Sequence, residues 1–207
     1  EKVPGSNSYW HWLRGKGQRP EKMFPGKPPY LSIGVPAELH QAAWIADRAI
    51  DFVDEAHDGP WMLSLNPFDP HPPFNPPPEA MARFGDGSGL TPPLFRDSDM
   101  AHQARFADVR SQKRRAVNPV LSAAARAAHV IPEGDERGAK PPEEFDGMAV
   151  KAAYYAMIEN LDQQFGRILD HLETSGQIDN TVIIFTSDHG EMLGDHGLLY
   201  KGCRFFE

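Results

Sequence analysis

The stretch VIIFTSDHGEMLGDHGLLYKG, Val182 to Gly202, sets four apolar residues in a row before a cluster of Asp, His, Glu, Asp, His and Lys. An apolar run rich in β-branched residues, opened by the turn-forming Asp179-Asn180, predicts a central strand buried on both faces. Ionisable side chains crowded just past its end are placed to meet in one crevice. The strand therefore carries a site, and the rest of the chain is read outward from it.

Immediately upstream, Tyr154, Ile158, Leu161, Phe165, Ile168 and Leu172 recur at spacings of three and four and predict a long helix from Gly147 to Gly176. Gly176 suits its termination. Further back, Pro36 fits a first helical turn, and Leu39, Ala43, Ala46, Ile50 and Val53 continue the helical period up to a stop at Asp58-Gly59-Pro60. WMLSL (Trp61 to Leu65) then reads as a short buried strand, followed directly by NPFDPHPPF. Strands separated by helices predict an α/β fold with a largely parallel sheet flanked by helices. In such sheets ligands bind beyond the carboxyl ends of the strands, where the loops after Leu65 and Phe185 both lie.

Four regions follow. Residues 1–35 are an irregular segment, 36–79 carry the helix, strand and histidine loop, 80–145 form an insertion, and 146–207 hold the long helix, strand and charged loop. Within the insertion, RSQKRRAVNP (Arg110 to Pro119) is locally basic and LSAAARAAH (Leu121 to His129) is helix-prone. A solvated helical insertion on the surface accounts for both, and a basic lip over an anionic substrate is the sharper alternative.

Composition narrows the function classes. Of the 207 residues 40% are hydrophobic and 24% charged, an ordinary globular balance for one large domain. The formal net charge of -8 gives no support to nucleic-acid binding. A lone cysteine excludes an internal disulfide framework, and no apolar run approaches the roughly 20 residues that cross a bilayer. The opening EKVPGSNSYW has no signal-peptide pattern and reads as the middle of a longer sequence, so no compartment is assigned. Nothing here sets an oligomeric state.

Asp188 and His189 pair a carboxylate with an imidazole, a plausible half of a divalent cation site, with Gly190 allowing a sharp turn. The plain alternative is a helix cap beside an ordinary hydrogen-bonded histidine. Glu191, Asp195 and His196 fit supporting or structural roles. Lys201 is either a point-charge clamp on a phosphate or sulfate oxygen or a surface lysine. His71, held between prolines just past a strand, suits binding an anion or protonating a leaving group, or else makes a structural hydrogen bond. Asp69 serves the turn.

With these residues in view, NTVIIFTSDHGEMLGDHGLLYKGCRFFE (Asn180 to Glu207) closely resembles the metal-and-sulfate segment of the sulfatase family, within the alkaline-phosphatase-like superfamily. PWMLSLNPFDPHPPF (Pro60 to Phe74) resembles that family's strand-then-histidine loop, and AYYAMIENLDQQFGRILDHLE (Ala153 to Glu173) its preceding helix. The resemblance implies that Asp188 and His189 ligate calcium, or else magnesium. It also implies that Lys201 contacts the sulfate, and that His71 contacts it or assists the leaving group. The implied activity is hydrolysis of a small-molecule or glycan sulfate ester.

The family's nucleophile is a formylglycine made from a Cys/Ser-x-Pro-x-Arg motif, and no such motif occurs in the 207 residues. Cys203 has no proline two residues on and lies after the metal pair, so it reads as a packing cysteine. The expectation is a middle portion of a sulfatase domain, silent on its own. A phosphate or phosphonate monoester hydrolase of the same superfamily is the second reading. A non-catalytic module that binds anions and cations is the third.

Overall fold

The computed structural model describes residues 8–24, 29–55, 57–105, 118–122, 124–125 and 144–201. The basic stretch at 110–117, most of Leu121 to His129, residues 138–143 and Cys203 lie outside the described residues.

The longest element is the helix Gly147–Thr174, numbered α6 below because five described helices precede it. Its start is set by Asp146, whose buried carboxylate accepts the N–H groups of Met148 at 3.0 Å and Ala149 at 3.2 Å. At its end the chain turns through Gly176 at φ 72°, and Gln177 N–H donates to the Leu172 carbonyl at 2.8 Å. The helix expected from the sequence is present, but its buried face is turned. Val150, Ala153, Met157, Asn160, Gln164, Ile168 and Leu172 lie inside, whereas Ile158 is 40% exposed. Small residues make the α3 side of the contact: Ala46 and Ala49 let Ile168 and Leu172 of α6 lie close against α3, Gln41–Asp54. The bulkier Phe165 flanks the contact and meets Phe185 at 5.7 Å between ring centroids.

The preceding described helices are α1 (Ser8–Gly15), α2 (Pro20–Met23), α3, α4 (Pro78–Phe84) and α5 (Asp97–Ala104). The helix anticipated from Pro36 begins as a short 3-10 turn, Ala37–Leu39, and becomes α-helical only after His40. Helix α4 packs on α6, where Arg83 Nε meets Glu159 Oε1 at 2.6 Å.

Two apolar clusters form the core. Ala46, Ala49 and Val53 of α3 close on Ile168 and Leu172 of α6, with Trp61, Leu63 and Leu65 against them. The other gathers Tyr30, Leu31, Phe74, Phe145, Val150, Ala153, Met157, Leu193, Leu199 and Tyr200. Phe74, fully buried, is its hinge point: its N–H donates to Tyr30 C=O at 2.8 Å and its own C=O accepts Ser32 N–H at 3.0 Å.

The sheet differs from expectation. Among the described residues there is no strand ladder, only one isolated parallel bridge between Leu31 and Phe74. Residues 61–65 alternate as a strand would, with Trp61, Leu63 and Leu65 against the helices and Met62 89% exposed. Val182, Ile184 and Phe185, expected to be buried on both faces, are 88%, 83% and 82% exposed. A central strand needs neighbours along both edges. The described residues supply none for either stretch.

Candidate active site

His71 sits in the loop that joins the 61–65 stretch to Phe74, with cis peptide bonds at Asp69-Pro70 and Pro72-Pro73. Its Nδ1 lies 2.6 Å from the Pro72 carbonyl oxygen. A carbonyl only accepts, so Nδ1 carries the proton and Nε2 presents its lone pair when the ring is neutral. The His71 pKa lies below the usual histidine value, chiefly because the ring is desolvated. The Pro72 hydrogen bond and the Asp188 charge oppose that shift, while Lys201 and His189 add to it. These influences place the proline loop and the charged loop in one electrostatic neighbourhood. The sequence separation alone could not have shown this.

In the charged loop, Asp188 Oδ1 accepts His189 N–H at 2.9 Å, and Asp188 Oδ2 lies 3.5 Å from His189 Nε2. His189 Nδ1 donates to the Gly190 carbonyl at 2.8 Å, which leaves Nε2 as the nitrogen able to ligate a metal. Both side chains are open to solvent, 85% exposed for Asp188 and 44% for His189. A hard cation takes six to eight oxygen-rich ligands, so one carboxylate and one imidazole fit only as part of its shell. No group of three His, Cys, Asp or Glu that could hold a metal occurs among the described residues.

Lys201 is placed by its neighbour. Tyr200 is buried at φ 69°, its ring centroid 6.0 Å from that of Phe74, and its carbonyl accepts Met192 N–H at 3.1 Å. Leu193 and His196 also adopt positive φ, 49° and 55°. Such backbone is costly for residues with a Cβ and persists where the surroundings impose it. Here they do. Asp195 Oδ1 accepts Leu94 N–H at 2.7 Å, His196 N–H donates to Leu94 C=O at 2.7 Å, and His196 Nδ1 stands 3.5 Å from Asp99 Oδ1. Asp195 and His196 thus tie the charged loop to the 94–99 segment.

Sequence reasoning missed one group. His40, Asp69 and Asn160 come together in the interior beneath the His71 loop. The visible signals were an asparagine on the inner face of α6 and a histidine just before α3.

Helix α6 thus stands behind two loops, one carrying His71 and the other Asp188, His189 and Lys201. The crystal structure of the phosphonate monoester hydrolase of Agrobacterium radiobacter superposes with a TM-score of 0.67 at 28% identity, covering 96% of this chain and 39% of that one. The sulfatase family profile matches residues 5–204, and the chain belongs to the sulfatase family. The multifunctional alkaline phosphatase superfamily protein PehA of Trinickia caryophylli is 30% identical over 169 residues, 81% of this chain and 30% of PehA. An arylsulfatase of Clostridium perfringens is 29% identical over 175 residues, 83% of this chain and 31% of that enzyme. The chain thus spans under a third of the length of these two relatives.

Proposed function

We propose that this chain carries the cation-and-anion part of a sulfuric ester hydrolase site, acting within a longer polypeptide on sulfate esters of small molecules or glycans. The carrying observation is that His71 lies within the fields of Lys201, His189 and Asp188, residues far apart in sequence. Asp188 and His189 Nε2 would hold a divalent cation, calcium in the first instance, together with ligands from outside these residues. The cation would polarise the ester and offset charge on the transferred group. Lys201 supplies a point charge for an anionic oxygen. His71 binds the same group, or protonates the leaving oxygen from its cationic form.

A phosphonate or phosphate monoester is the second substrate class, favoured by the likeness to the Agrobacterium radiobacter enzyme. Both readings share the same cation and lysine.

The test uses the purified chain with an aryl sulfate and an aryl phosphonate monoester, with and without calcium. No saturable hydrolysis is expected. Calorimetric titration should show weak calcium binding that Asp188→Ala removes. Saturable, metal-dependent sulfate ester hydrolysis by this chain would refute its silence. Calcium affinity unchanged in Asp188→Ala would remove Asp188 from the ligands.

A further inference from the structure

We infer that His40, Asp69 and Asn160 form a buried relay that fixes the His71 loop to the helices behind it, with His40 and Asp69 as positioning residues for His71. The inference rests on the reading above only in giving His71 a task.

The geometry is specific. His40 precedes α3 and is 6% exposed. Its Nδ1 accepts the Ala42 N–H at 3.4 Å and faces the Asn160 amide nitrogen at 3.3 Å. Two donors converging on Nδ1 make it the acceptor, so Nε2 bears the proton. Nε2 stands 3.5 Å from Asp69 Oδ2, and each of these side chains is only 7% exposed. Asp69 lies two residues before His71, on the same proline-bound loop. The relay thus runs from the inner face of α6, through the start of α3, to the backbone that presents His71. It is also imperfectly satisfied: Asp69 Oδ2 and Asn160 Oδ1 are buried without a hydrogen bond. Buried polar groups left in that condition destabilise a fold, so a purely structural site of this size would be better filled by apolar side chains.

Electrostatics agrees with a pair whose charge state matters locally. Burial pushes the Asp69 carboxyl up to about 7 and the His40 imidazole down to about 4. Of the other groups facing the pair, the Tyr9 hydroxyl donates to Leu39 C=O, and its pKa is raised by burial first and by Asp69 second. Asn160 is neutral. Lys201, His189 and Asp188 face His71 on the outer side of the loop.

The signs follow from linkage. Asp69 has a folded pKa above its ordinary 3.8, so its contribution is full below that value and is lost as pH rises through about 7. His40 has a folded pKa below 6.5, so its contribution is present above 6.5 and is lost as pH falls through about 4. The two slopes oppose each other between these limits. Above pH 6.5 only the Asp69 slope remains.

The test is amide hydrogen exchange on this chain from pH 6.5 to 8, corrected for the intrinsic rise with pH. It is read at the amides of His71, which donates to Phe68 C=O at 3.1 Å, and Phe74. The Ile168 and Leu172 amides of the other cluster serve as reference. Loss of protection with rising pH is expected at His71 and Phe74 and not at the reference amides. Asp69→Asn, nearly isosteric and unable to ionise, should abolish the step while keeping the loop protected. His40→Ala should lower loop protection across the whole range. An equal loss at every amide, no step in the wild-type chain, or a step that survives Asp69→Asn would each overturn the relay. If the relay holds but His71→Ala leaves turnover of the complete enzyme unchanged, the functional reading of His71 fails and the positioning result stands.

Discussion

His71→Ala will lower ester turnover by roughly 10²–10³ when measured in a polypeptide that joins this chain to the rest of a sulfatase site, the loss typical of removing one transition-state partner. The geometry explains the size. Nδ1 is committed to the Pro72 carbonyl, so the ring is held by one nitrogen and would meet a substrate with the other. The pH dependence carries a sign. To touch an anionic oxygen or release a proton to a leaving group, Nε2 must be protonated, and burial first of all holds the His71 pKa below its ordinary value. The cationic form is therefore present at low pH and lost as pH rises through a value under 6.5 in the free protein. The kcat/KM profile should show that falling limb, and His71→Ala should flatten it. Lys201→Ala should cost a similar factor and keep the limb, moved to higher pH because the Lys201 charge no longer helps to lower the His71 pKa. If both variants keep near wild-type turnover, the anion contacts lie elsewhere.

Phe74→Ala will destabilise the fold by about 3–5 kcal/mol, the range for emptying a buried aromatic site. Stability totals for domains run to only about 5–15 kcal/mol, so the loss is a large part of what holds the chain together. Phe74 is fully buried, its ring lies 6.2 Å from Tyr154 and 6.0 Å from Tyr200, and it ends the loop that presents His71. One side chain therefore braces both halves of the site, since Tyr200 adjoins Lys201. Urea unfolding at constant pH measures the effect, with Ile158→Ala as the comparison because Ile158 is already 40% exposed. Equal losses in the two variants would mean that Phe74 holds no special place in the core.

The long helix was legible because its signals are local. Its period and Gly176 both act within a turn of where they stand, and the Asp146 cap, just as local, was seen only in the structure. Its rotation was not. Bulky residues dominate a periodicity count, whereas the buried face over most of the helix falls one position away, on Ala153, Met157, Asn160 and Gln164. Strand character at 61–65 and 182–185 was read from composition, but pairing is a long-range property, and these stretches meet no ladder among the described residues. Asp188, His189, Lys201 and His71 stood out by residue type and loop context. Their shared neighbourhood, and the contact between His40 and an asparagine 120 residues away, exist only once the chain is folded. The middle of the insertion, with its basic run, lies outside the described residues.

The open flank at Val182 to Phe185 also governs how the purified protein behaves in the tube. Four uncharged, β-prone residues bared to water are a ready template for other copies of the same run, stacked as in a fibril. At neutral pH the formal net charge of -8 should oppose that stacking. That repulsion fades towards the isoelectric point near 5.6 and is screened by added salt. Dilute, mildly alkaline, low-salt buffer is therefore expected to limit aggregation of this chain, and light scattering against pH and salt checks it.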